Sequence, residues 1–182
     1  MATTATTPNI IPALVDFVMT FATPALADSN HVINGFERNI TPPKDKQDFC
    51  VIQPISRTRR GTTVQEYDKT GDEVVRLKEY VDLDVQIDCY SRNLFDAASR
   101  AQTLETVARS FAGVDLFAKY DIDCQYADNV QNLTAILDEA QYQTRWRLVL
   151  RLGYWRTVQL DQPFVDALDV DVHNVDVRFP PA

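Results

Sequence analysis

A chain of 182 residues with 45% apolar and 24% charged side chains can bury one good core and is not largely disordered. Its formal charge of -8 argues against nucleic acid as the main partner, because phosphate binding needs a concentrated positive surface. Cys50, Cys89 and Cys124 are odd in number and lack CxxC spacing, so neither a disulfide framework nor a zinc site is indicated; all three are expected as reduced thiols.

In chain order, Thr7 and Pro8 supply a capping hydroxyl and a residue already fixed at helical φ. Ile10, Ile11, Leu14, Val15, Phe17, Val18 and Phe21 then form a wide apolar helical face, and Pro24 stops it. No Lys or Arg precedes this run and Pro12 interrupts it, so it does not read as a signal peptide. At about a dozen residues it is also too short to span a bilayer. The sequence is divided as one domain over 1–182: an N-terminal helix at 1–24, a loop at 25–47 marked by Pro42 and Pro43, and a sheet-and-helix core at 48–179.

Phe49, Val51 and Ile55 begin a strand that Pro54 confines to an edge or a bulge, since proline cannot donate to the ladder. Arg57, Arg59, Arg60 and Gly61 are expected to turn the chain, with Thr62 to Tyr67 running back as a hairpin partner. A second turn at Asp68 to Asp72 leads into a long strand through Val75 and Leu77 to Cys89. Three antiparallel strands in succession follow from these signals.

From Tyr80 to Gly113 the pattern is the clearest in the chain. Tyr80, Asp82, Asp84, Gln86 and Asp88 share one parity, and Val81, Leu83, Val85, Ile87 and Cys89 the other, so one strand face is apolar and one acidic. The period then changes to about 3.6, and Leu94, Ala97, Ala98, Ala101, Leu104, Val107, Ala108 and Phe111 form the helical stripe expected to cover the apolar face. Leu116 and Phe117 suggest a short helical turn, Ile122 to Tyr126 a short strand, and Ala127 to Leu137 an irregular segment. From Tyr142, Thr144, Trp146, Leu148, Leu150 and Leu152 alternate with Gln143, Arg145, Arg147, Val149 and Arg151, mirroring the earlier strand with opposite charge. Leu168, Val170 and Val172 are followed by Val175, Val177 and Phe179, a phase slip near His173 that a β-bulge or tight bend would produce.

The acidic row (Asp82, Asp84, Asp88) and basic row (Arg145, Arg147, Arg151) admit two readings. They pair across a solvated sheet face, each exposed pair contributing about 0.2–1 kcal/mol, or they meet complementary rows on identical subunits. Arg57, Arg59 and Arg60 read either as a solvated turn or as a contact with DNA or an acidic protein ring. Carboxylate pairs such as Asp82 and Asp84 would need a cleft and unequal environments for acid–base work. His31 and His173 flank no HExxH or nucleophile motif, and five glycines supply no phosphate-cradling loop. No enzyme activity, metal or cofactor is expected.

The blocks YVDLDVQIDCYSRNLFDAASRAQTLETVARS, DIDCQYADNVQNL and EAQYQTRWRLVLRLGYWRTV, with a late valine-rich strand ending VDVRFP, resemble the neck or tail-terminator proteins of long-tailed bacteriophages, in that family's order from about Val51 to Phe179. The resemblance implies an α+β domain with a mostly antiparallel, mixed sheet packed by helices, self-associating into a six-fold ring. It implies a structural virion protein, assembled in the host cytoplasm, that terminates the tail tube and joins tail to head. The implied partners are further copies of the chain, the tail tube protein, the sheath protein, a head-side connector or stopper protein, and genomic DNA passing through the lumen without specific binding, with no membrane. The family carries no catalytic or metal-binding residues to transfer. The alternatives are a head-completion or stopper protein and, from another class, a small-ligand-binding domain.

Overall fold

The computed structural model describes residues 3–35, 48–67, 74–138 and 141–161. In chain order these form β1 (Thr3–Thr6), α1 (Ile10–Phe21), β2 (Val32–Asn34), β3 (Phe49–Tyr67), β4 (Val74–Ser91), α2 (Leu94–Ala108), α3 (Phe111–Ala118), β5 (Ile122–Ala127), β6 (Gln131–Asn132), β7 (Ala135–Asp138) and β8 (Gln141–Asp161). The fold class is α+β. The sheet follows the path β1-β8-β4-β3-β2, with β4 antiparallel to both long neighbours and β2 parallel to β3. Along the other side of β8, β1, β5, β6 and β7 each pair with a different stretch of it.

The period of two sorts the long strands by face. Val81, Leu83, Val85, Ile87 and Cys89 of β4, Leu148, Leu150, Leu152 and Tyr154 of β8, and Cys50 and Ile52 of β3 are buried in one core. Their neighbours in sequence point to the opposite face. The helices cover the apolar side. The Asn93 side chain caps α2 by accepting from the Phe95 amide at 3.0 Å, which satisfies one of the orphan donors of the first turn. Ala97, Ala101 and Ala108 then let the helix backbone approach the sheet closely, and Leu104 is fully buried between them, a burial contributing about 1.5–3 kcal/mol. α1 adds Ala13, Leu14, Phe17 and Val18, with the Phe17 ring 5.0 Å from that of Phe117 on α3.

The largest fully buried side chain is charged. Arg100 on α2 is 1% exposed and donates to the carbonyls of Pro24 (2.9 Å) and Tyr90 (3.4 Å). It ties the segment after α1 to the end of β4. Cys50 and Cys89 face each other across β3 and β4 with sulfurs 3.5 Å apart, buried and unbridged. The hydrogen bond shared with Cys50 and then burial push the Cys89 thiol well up, and burial raises Cys124 to about 11.

Four expectations change. The hairpin at Arg57 to Gly61 is not formed: β3 continues from Phe49 to Tyr67 with β4 as its partner throughout. Gly61, at φ 76°, lies in a bulge between the pairs Arg60–Tyr80 and Val64–Lys78, so a positive φ read as a reversal is absorbed within the strand. There are consequently two successive strands before α2, not three; a register shift between Pro54 and Ser56 bears out the proline-associated bulge. α1 starts at Ile10 behind Asn9, which makes no side-chain cap bond, and Pro12 sits in the first turn, where its missing N–H costs little. Within the span read as loop, Ser29–His31 form a 3-10 turn and Val32–Asn34 pair with β3; within that read as irregular, β6 and β7 pair with β8. The turn at Asp68 to Asp72 and the valine-rich tail lie outside the described residues.

Candidate assembly surface

The sheet face away from the helices is a network of charge pairs set by strand register. Asp84 stands opposite Arg151 and Asp88 opposite Arg147, so even positions of β4 meet odd positions of β8. Arg151 grips Asp84 with two nitrogens, at 2.7 and 3.2 Å, while the Ser56 hydroxyl donates to the same carboxylate at 2.7 Å. The Arg151 bond, more than any other influence, holds the Asp84 carboxyl below its usual range. Asp88 is 2% exposed beneath this face, accepting from Arg145 at 2.8 Å and from Gln86, with Arg147 3.9 Å from its other oxygen. Asp82 accepts from Arg60 at 2.9 Å and from Gln125 at 2.8 Å. Asp84 and Asp88 of the acidic row therefore pair with the basic row inside one subunit, while Asp82 pairs with Arg60 instead.

Tyr80 and Gly153 join this network to β5. The Tyr80 hydroxyl donates to Asp123 at 2.6 Å and accepts from Gln125 at 3.2 Å, and its ring meets that of Trp155 edge-on at 5.2 Å. Burial and the bond to Asp123 raise its pKa, so it stays a donor at neutral pH. For the phenol to reach β5 it must lie across β8, over Gly153. A Cβ there would collide with the Tyr80 hydroxyl and the Gln125 amide and stand 2.7 Å from the Tyr80 ring. Glycine inside this strand makes room for a side chain.

Arg57 and Arg59 lie elsewhere. Both are on the helix-side parity of β3, opposite Leu83 and Val81, and approach Glu79 at 3.5 and 3.9 Å. Arg156 completes the group with a 2.9 Å bond to the same carboxylate. That bond, then the influence of Arg59 and Arg57, lowers the Glu79 pKa against the opposing effect of burial. Three guanidiniums share one carboxylate, and each remains a third to a half exposed. In a chain of charge -8 this is a local positive surface. Arg60 is thus separated from its sequence neighbours and belongs to the opposite face.

Glu79, Arg156, Tyr80, Asp123 and Gln125 were missed by the sequence reading of the site. Two signals could have found them: the apolar parity of β4 turns polar at Glu79, and a lone glycine interrupts the alternation of β8 at 153. A groove of about 490 Å3 is lined by Thr6, Thr7, Pro8, Val64, Glu66, Lys78, Asp121, Trp155 and Thr157, but its ammonium and one of its carboxylates, Lys78 and Glu66, already pair at 2.7 Å. Among the described residues no group of His, Cys, Asp or Glu could hold a metal ion, and no helix is long and apolar enough to cross a membrane.

Among the described residues the arrangement positions charge and aromatic surface on one sheet face. No curated protein matches the chain. The family model described as phage neck terminator protein matches residues 9–177, nearly the whole length and all three helices. By that match the chain belongs to the phage neck terminator proteins, a family of structural bacteriophage proteins.

Proposed function

We propose that this chain is the subunit of a closed six-fold ring that stops the growing tail tube and offers its other side to the head-side connector. The family assignment over residues 9–177 carries the reading. Membership of a neck family implies self-association and contact with other tail and head proteins, within the virion. The sheet supports a head-to-tail arrangement, because its two ends differ: β1 closes one side and β3 with β2 the other. Unlike surfaces meeting in rotation close into rings.

Within this reading the contacts fall on the exposed sides of the charge network. Arg57, Arg59, Arg60, Arg145, Arg147 and Arg151 present guanidinium edges, and Asp82 and Asp84 hold two of them, Arg60 and Arg151, in register. Asp88, being buried, acts by fixing Arg145 and Arg147. DNA passes through the lumen without specific binding, and the tube, sheath and connector proteins are the neighbours.

The test is assembly. Purified tube protein polymerised with and without this chain should give tubes of unlimited length in its absence and tubes ending in this subunit in its presence. A chain that binds only head-side connector proteins and leaves tube length unregulated is a head-completion or stopper protein.

A further inference from the structure

Beyond Ile52, no described strand pairs with the outer side of β3, and from Ile55 to Tyr67 every residue except Thr63 is exposed. An edge of this length that no described strand covers is a template for another strand. The two register shifts leave the regular run Ser56–Arg60 between them, and Arg57 and Arg59 stand on one side of that run. Their only described carboxylate is Glu79, shared with Arg156, so the edge carries unspent positive charge.

The same chain contains a segment of complementary pattern. Leu168, Asp169, Val170, Asp171 and Val172 alternate apolar and acidic residues, the period of a strand with one carboxylate face. Its length equals that of the regular run on β3. Seven residue steps separate Asp161, the end of β8, from Leu168, a reach of up to about 23 Å at about 3.3 Å per extended residue.

We propose that Leu168–Val172 of one subunit docks along Ser56–Arg60 of the next, with Asp169 and Asp171 facing Arg57 and Arg59. The inference rests on the ring reading and gives the ring its two unlike surfaces: a basic free edge and an acidic segment. Backbone hydrogen bonds supply attachment and the charges fix register. Edge arginines are also a common guard against unwanted pairing. That simpler role predicts that removing them leaves native assembly unchanged.

The experiment uses the full chain in three forms: wild type, Arg57→Glu with Arg59→Glu, and Asp169→Lys with Asp171→Lys. Self-association is followed by light scattering against concentration, and thermal unfolding checks that each form is folded. Wild type should self-associate, each variant alone should need at least a tenfold higher concentration, and an equimolar mixture of the two variants should return to within threefold of wild type. Mixing restores only contacts made between chains. If Arg57→Glu with Arg59→Glu does not fold, Arg57→Gln with Arg59→Gln replaces it, with the same loss expected alone. Variants that assemble like wild type would overturn the inference and leave the ring intact. So would a mixture that fails where one chain carrying all four reversals succeeds, because the segment would then dock on its own subunit. Duplex DNA binding lost with the arginines while assembly persists would assign the patch to DNA instead. A wild type that stays monomeric at every concentration would remove the ring reading itself.

Discussion

Gly153→Ala tests whether the outer face is held by side-chain placement. The added Cβ would collide with the Tyr80 hydroxyl and stand 2.7 Å from its ring carbon, so the phenol must move, whereas the Gln125 amide can swing aside. Moving the ring breaks the 2.6 Å bond to Asp123, a bond to a charged group in the range of about 1.5–3 kcal/mol. It also loosens the edge-on contact with Trp155, about 0.5–1.5 kcal/mol. These groups are partly solvated, so the low ends of both ranges apply and the expected loss is about 2 kcal/mol. For a chain of 182 residues that lowers Tm by about 4–8 °C. Tyr80→Phe, which keeps the ring, should lose about 1.5 kcal/mol. Gly153→Ala on a Tyr80→Ala background should cost less than on wild type, since the obstruction is gone. A Gly153→Ala protein within about 0.5 kcal/mol of wild type by chemical denaturation would refute the steric argument.

Three further outcomes follow from the core and the charge pairs. Arg100→Ala leaves the Pro24 and Tyr90 carbonyls without their donor and a cavity where the buried side chain lay, and should lower unfolding free energy by about 3 kcal/mol in denaturant titration; an effect below about 1 kcal/mol would mean that water or neighbours replace it. Asp84 and Glu79 both have folded pKa values below their ordinary ones, so their stabilisation is present above the unfolded carboxylate pKa and is lost as pH falls through the folded values. Melting temperature should thus drop as pH goes below about 4, and Asp84→Asn should make that drop shallower; an unchanged profile would deny the Asp84–Arg151 pair a role. In native protein at pH 8, Cys50 and Cys89 should resist a thiol reagent, Cys124 should react slowly in keeping with its raised pKa, and all should react on unfolding; rapid modification of two or more native thiols would contradict their placement.

Much of this fold was legible because its two longest strands alternate cleanly and its central helix has a clear stripe. β4, α2 and β8 all lie where the periods of 2 and 3.6 put them. The stripe outruns the buried face at both ends: Leu94 is 43% exposed and Phe111 is 89% exposed, one being the first residue of α2 and the other the first of α3. Short strands such as β2 and β6 left no signal, since three and two residues carry no period and exist only because a long neighbour offers them an edge. Gly61 misled because a local turn residue cannot report that β4 supplies a partner on both sides of it. The same limit applies to the charges: alternation placed Asp84 and Arg151 on faces, but only strand register could put them in the same pair and separate Arg60 from Arg57 and Arg59.

A neck terminator must be more than a folded sheet, and the decisive quantity is the state of the chain when it meets a growing tube. Tube protein assembled with increasing amounts of this chain should give tubes whose length distribution narrows and whose ends carry the subunit as a closed ring in negative-stain images. Tubes that lengthen without limit, with the chain left in solution as single subunits, would contradict it.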